Sequence, residues 1–192
     1  MQKSLAETIK EFDELISSYK NQLKKHNDHL VFDKNSSITF TLSQDVDDSI
    51  FDSLKEKKGL YLFELELSSY NKGVKTKTKI KNFANDWRKN KYHSTHSSNI
   101  IEIRLNQHNN FSGDWLPLYI GKCMNIQKRI INHLNLSQDS RTYAMKLKSR
   151  KNLYGLNFRV QHLELNVSNY SFIAPHLEKL FRDKYNPIIG KQ

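Results

Sequence analysis

Residues 116–134 read LPLYIGKCMNIQKRIINHL. The apolar lead-in, Leu116 and Leu118, running into Tyr119-Ile120-Gly121 has the pattern of a strand entering a core over Leu116–Ile120. Ile126, Ile130 and Leu134 then recur four apart, the apolar stripe of a helix over Ile126–Leu134. Arg129 and His133, also four apart, stack along one flank of that stripe. A flank beside a buried face is where a side chain is held firmly and still reaches a cleft. Tyr119 and Lys122 come from the turn just before. Taken alone, the segment reads as well as a solvated surface helix as it does as one wall of an active site.

The rest of the chain bears on that choice. Its 192 residues suffice for one substantial domain, and 37% apolar with 27% charged side chains fits a folded protein with a very polar surface. The net charge of +11 is unevenly placed: residues 1–57 carry 8 basic and 11 acidic groups, leaving 23 basic and 9 acidic in residues 58–192. A positive field confined to one part of a chain is the footprint of polyanion binding, although charge of this kind also serves solubility. A single cysteine, Cys123, excludes an internal disulfide and fits a reducing compartment. No apolar run is long enough to span a bilayer, and MQKSLAETIKEFDEL has no signal-peptide core. A cytoplasmic protein without a membrane partner is expected.

Upstream, Leu5, Ile9, Phe12, Leu15, Ile16, Tyr19 and Leu23 mark an amphipathic helix over 4–25. A short strand at Ile38–Leu42 and a short helix over Ser49–Lys57, entered from the acidic DVDD, complete an N-terminal helical arm at 1–57. Gly59-Leu60-Tyr61-Leu62-Phe63 opens a strand running to about Leu67. A basic stretch follows, in which Ile80, Phe83, Ala84 and Trp87 form one helical stripe. Further on, the pattern predicts a strand over Ile100–Leu105, a basic helix over Arg141–Lys151, a strand over Asn157–Leu165 and a final helix over Ser171–Tyr185 with Pro175 in its first turn.

Set beside GLY at 59–61, YIG at 119–121, Arg129, His133 and Glu178 nine residues before Pro187, the order along the chain resembles the GIY-YIG nuclease family, in a restriction-endonuclease-like form. The matched segments, about 59–66, 116–136 and 157–190, cover roughly half of the chain. The resemblance implies an α+β fold: a small three-stranded antiparallel sheet flanked by helices, with a nuclease-like domain at 58–192. It departs from the family in two places. A long insertion at about 67–115 separates the two tyrosine motifs, which the family joins by a short hairpin. Gly190 stands three residues after the proline, where the family often has Asn, with Asn186 as the nearest substitute.

The resemblance further implies a Mg²⁺-dependent (or Mn²⁺-dependent) DNA endonuclease that hydrolyses phosphodiester bonds. In it Glu178 binds the divalent ion, Arg129 clamps a phosphoryl oxygen, and Tyr61 orients or deprotonates the attacking water. His133 relays a proton or touches the phosphate, Tyr119 positions the substrate, and Lys122 adds positive charge. A phenol titrates near pH 10, so Tyr61 needs nearby cations to act as a base at neutral pH. A restriction-type enzyme cuts both strands, which points to a homodimer with the N-terminal helix as a contact, and to a cognate methyltransferase as partner. The alternatives are a non-catalytic nucleic-acid-binding protein on the same fold and a mobile-element or repair nuclease.

Lys75, Lys77, Lys79, Lys81, Arg88 and Lys128 are candidates for contact with the nucleic-acid backbone. The alternating lysines also fit a solvated strand edge. Phe83, Trp87 and Tyr92 are candidates either for stacking on bases or for a small local core. Two weaker constellations are Asp48 or Asp52 with Glu56-Lys57-Lys58, a faint echo of another nuclease class, and His93 with His96, which no cysteine nearby completes as a zinc set.

Overall fold

The structure is a computed structural model, described for residues 3–33, 35, 37–89 and 98–190. Tyr92, His93 and His96 lie outside these. In chain order the elements are α1 (Leu5–Lys25), β1 (Ile38–Thr41), β2 (Gly59–Glu66), α2 (Thr76–Lys89), β3 (Asn99–Ile100), α3 (Glu102–Gln107), β4 (Trp115–Cys123), α4 (Ile126–Asn135), β5 (Asn157–Glu164), α5 (Tyr170–Tyr185) and β6 (Ile189–Gly190).

The main sheet is antiparallel, in the order β1-β5-β2-β4, and a separate pair joins β3 to β6. It has four strands where three are expected. The addition is β1, which pairs Phe40 with Phe158 on the outer side of β5. Phe40 and Leu42, with Phe51 and Leu54 of the following turn, are buried in the main core. The second half of the segment expected to be an arm therefore belongs to the body of the fold.

Strand β2 lies between two neighbours and is covered on both faces, so Gly59 through Leu65 are buried without the alternation of a half-exposed strand. Tyr61, Phe63 and Leu65 face α4, whose Ile126, Ile130 and Leu134 are fully buried. Leu60 and Leu62 face α5 through Ala174, Leu177 and Phe181. Gly59 has a steric reason: a Cβ there would lie 2.0 Å from the Leu163 carbonyl oxygen on β5. A bulge shifts the β2–β4 register between Phe63 and Glu64, and Pro117 sits beside it in β4, the last strand of the sheet, where a missing N–H is tolerated.

The expected insertion is present. Leu67 N–H donates to the Asp114 carbonyl at 2.8 Å and closes its base. Within it Ile80, Phe83, Ala84 and Trp87 are the buried stripe of α2, so Phe83 and Trp87 are core residues. The neighbouring lysines lie on or just before this helix and not along a strand edge.

Three other expectations are corrected. The strand over Ile100–Leu105 is only two residues long and then turns into α3, because Ile101 N–H is taken by the Ile188 carbonyl at 2.8 Å as the β3–β6 pair ends. No α-helix spans Arg141–Lys151, which holds one short 3₁₀ turn, Leu147–Ser149, and leads into a second, Lys151–Leu153. Lys146 adopts a left-handed backbone there, and its buried ammonium bonds the Gln138 and Ser140 carbonyls, both at 2.8 Å. Arg150 is likewise buried, bonding the Met145 carbonyl at 2.9 Å and the Trp87 carbonyl at 3.0 Å. Finally, α5 begins at Tyr170, which puts Pro175 in its second turn and leaves the Ser171 carbonyl without an intrahelical donor. The region over Ser49–Lys57 is a 3₁₀ turn, Asp48–Leu54, capped by Asp47 as its acidic entry predicts. Among the described residues, no helix is long and apolar enough to cross a membrane.

Candidate active site

In the β2–β4 ladder Tyr61 lies directly opposite Gly121, and Phe63 opposite Tyr119. All four residues point to the face covered by α4. The Tyr61 ring crosses over the Gly121 backbone: a Cβ on Gly121 would meet Tyr61 Oη at 2.3 Å and Cζ at 2.5 Å. The two short motifs are thus parts of one contact, since a side chain on the glycine of the second would expel the tyrosine of the first.

Tyr61 Oη reaches α4. It lies 2.9 Å from His133 Nε2 and accepts from Arg129 Nε at 3.3 Å. His133 is fully buried, and its Nδ1 accepts the Met145 backbone N–H at 3.1 Å. Burial first, and the Arg129 charge second, hold its pKa well below the ordinary imidazole value, so the ring is neutral. With Nδ1 occupied as an acceptor, the proton of that neutral ring sits on Nε2 and is donated to Tyr61. His133 lies inside the core and not on the flank exposed to a cleft.

Arg129 is half-buried. Its Nη2 donates to the Tyr143 carbonyl at 2.8 Å, which with the Tyr61 bond fixes the guanidinium plane. Burial disfavours its charge, but Tyr61 and Tyr119 together outweigh that and raise its pKa, so it stays a cation. Tyr61 is pushed well above the usual phenol value, by burial first and then by Tyr119, against the opposing pull of Arg129. Tyr119 rises for the same first reason, with Arg129 and Arg182 opposing and Glu178 reinforcing. Both tyrosines are neutral phenols in the unliganded protein.

Lys122 and Glu178 approach from the other side of β4. Lys122 faces α5 and donates to Glu178 Oε2 at 2.7 Å, so its charge is spent on the carboxylate and not beside Tyr61. Arg182, one turn further along α5, lies 3.9 Å from Glu178 Oε1. Tyr119, whose phenol senses Arg129 on one side and Glu178 and Arg182 on the other, links the two halves. Sequence reasoning missed Arg182, although its i,i+4 spacing from Glu178 was a usable signal.

The donor set for a metal is one carboxylate, and no cluster of three or more ligating side chains occurs among the described residues. A hard divalent cation that keeps its waters and shares phosphate oxygens needs one or two carboxylates. Glu178 meets that minimum through Oε1, the oxygen that Lys122 does not take and that the Arg182 guanidinium faces at 3.9 Å.

The other candidates have structural partners. Lys79 donates to the Leu67 carbonyl at 2.7 Å and Arg88 pairs with Glu102, whereas Lys75, Lys77, Lys81 and Lys128 are exposed. Asp48 accepts from Asn135 and Asp52 from Gln127, which ties both to α4. Asn186 is the left-handed cap of α5, and its carbonyl accepts from His108 at 2.8 Å. Half-buried Cys123 has its thiol pushed up to about 11 by burial, so it is not a nucleophile. No family model, curated protein or solved structure matches the chain.

Proposed function

We propose that the protein is a metal-dependent endonuclease of the GIY-YIG type that hydrolyses DNA phosphodiester bonds, in the role of a restriction enzyme. The observation that carries this reading is the convergence of Tyr61, Tyr119, Arg129 and His133 at α4 with Glu178 and Lys122 across the same strand. Arg129 is the cation for the phosphoryl oxygens, because it is held in place by two bonds and stays charged despite burial. Tyr61 orients the attacking water. Its oxygen receives two donated hydrogen bonds, so its own proton points away from both, and those donors stabilise a phenolate when that proton leaves. His133 acts through Tyr61 as a positioning residue. Glu178 would hold Mg²⁺ or Mn²⁺, which when bound supplies Lewis-acid stabilisation of the phosphoryl and leaving oxygens. The exposed Lys75, Lys77, Lys81 and Lys128 would meet the DNA backbone.

Cutting both strands favours two copies. Helix α1 has no buried residue, and Leu5, Ile9, Phe12, Leu15 and Tyr19 expose its apolar face. Glu7, Glu11, Asp13 and Glu14 outnumber Lys10 in its first half and Lys20, Lys24 and Lys25 occupy its second, so two copies complement each other in an antiparallel pair. A restriction role also implies a cognate methyltransferase.

The second reading, a non-catalytic nucleic-acid-binding protein, is favoured by one observation: Lys122 already neutralises Glu178. Plasmid DNA incubated with Mg²⁺ or with EDTA tests the choice. Metal-dependent nicking supports the enzyme, and binding without cleavage across varied DNA and RNA supports the alternative.

A further inference from the structure

Two cations of the cleft are held in opposite ways. Arg129 is fixed by bonds to Tyr61 Oη and to the Tyr143 carbonyl. Lys122 follows Gly121, the residue over which the Tyr61 ring crosses, but it pairs with Leu60 in the ladder, so its side chain leaves on the other face of β4. There its ammonium has Glu178 as its sole acceptor among the described residues, 2.7 Å from Oε2. Strand β4 is the edge of the sheet, and the Lys122 side chain is 36% exposed against 15% for Glu178. An ion pair of that exposure is weak and opens readily. A lysine on its flexible four-carbon stem turns to another anion without any shift of the backbone. The Arg182 guanidinium faces the second carboxylate oxygen at 3.9 Å. One carboxylate between two cations leaves a local excess of positive charge, which opposes a divalent ion at the same oxygens.

We propose that Lys122 is a substrate-released lock on the metal site: it closes Glu178 in the free protein and leaves it when a phosphodiester group of the bound strand takes the ammonium. This rests on the nuclease reading, and it gives the Lys122–Glu178 pair a role there in place of permanent neutralisation. The phosphate has two effects. It draws one of the two cations off the carboxylate, and its oxygens add to the donor set that a single Glu178 leaves short. Binding of the divalent ion and binding of DNA are then reciprocally coupled, each tightening the other by the same factor.

The test is Mn²⁺ binding, read from the electron paramagnetic resonance signal of the free ion, for the wild type, Lys122→Met, Lys122→Arg and Glu178→Gln. Each protein is titrated alone and with a phosphorothioate duplex that resists cleavage, the duplex's own binding being subtracted. Removing one charge beside the carboxylate predicts that Lys122→Met alone binds Mn²⁺ about tenfold tighter than the wild type. A gain in affinity cannot come from misfolding. Lys122→Arg keeps the wild-type affinity, and Glu178→Gln loses the site. The duplex tightens Mn²⁺ binding about tenfold in the wild type and by a smaller factor in Lys122→Met, which has no lock to open. Equal Mn²⁺ affinities of the wild type and Lys122→Met, or equal tightening by the duplex in both, overturn the lock even if the wild type cuts plasmid DNA. The predicted affinities in a wild type that cuts no DNA support the lock and sink the nuclease reading. No Mn²⁺ bound by any of the four proteins, with or without the duplex, overturns both.

Discussion

His133 Nε2 lies 2.9 Å from Tyr61 Oη, and the backbone N–H of Met145 on the opposite ring nitrogen sets which of the two atoms holds the proton. The imidazole is a fixed donor to the tyrosine, and the loop after α4 supplies the bond that fixes it. Replacing His133 by Leu removes a hydrogen bond to Tyr61 and leaves the Met145 N–H buried without a partner. Cleavage is expected to fall about 10²-fold through kcat, with KM little changed, because the residue acts on the oriented water and not on substrate binding. A loss confined to KM would contradict this role.

The same histidine makes stability pH-dependent. Its folded pKa is depressed, so its contribution is present above the unfolded value near 6.5 and is lost as pH falls below it. Buried His162, depressed by burial and then by Lys57, acts in the same direction. Thermal denaturation should show a decline from pH 7.5 to 5.5, flatter in His133→Gln but not abolished, since His162 remains. Equal declines in the two proteins would exclude His133 as a source.

Gly121→Ala places a methyl group 2.3 Å from Tyr61 Oη. The tyrosine must move, which breaks its bonds to His133 and Arg129. Activity should drop at least 10²-fold, and overpacking should cost about 1–3 kcal/mol in a denaturant titration. Wild-type activity in this variant would mean that the Tyr61 position is irrelevant to the chemistry.

Burial raises the Tyr61 pKa well above 10, so the phenolate is scarce at neutral pH. If cleavage uses that phenolate, its rate rises about tenfold per pH unit between roughly pH 7 and 9 under single-turnover conditions, without a plateau. A rate that is flat over this range would assign Tyr61 to orientation alone.

Sedimentation should find a dimer at tens of micromolar and a monomer after Ile9→Glu, which places a charge on the exposed face of α1. A monomeric wild type, both free and on DNA, would remove the antiparallel pair.

How much of this the sequence displays depends on what holds each element. The β2, β4, α4 and α5 segments are legible because their apolar residues recur with the period of the structure they form, as Ile126, Ile130 and Leu134 do. Gly121 stands in the motif, but the reason for it, the ring of Tyr61 60 residues away, appears only in the register. The loop holding Lys146 and Arg150 reads as a helix because its long side chains are good helix formers. Tertiary bonds from those buried cations to loop carbonyls override that propensity. Residues 38–42 carry too short a pattern to show which sheet they join, and β3 takes its strand form only from its pairing with β6.

The most direct test of the central claim is the single-turnover rate of plasmid cleavage in Mg²⁺ for the wild type, Arg129→Lys and Glu178→Ala. Arg129 is the cation that the site fixes by bonds to Tyr61 and to the Tyr143 carbonyl, a geometry an ammonium cannot reproduce. The expected result is metal-dependent cleavage by the wild type, a loss of about 10³-fold in Arg129→Lys and no detectable cleavage in Glu178→Ala. Cleavage at the wild-type rate in either variant would contradict it.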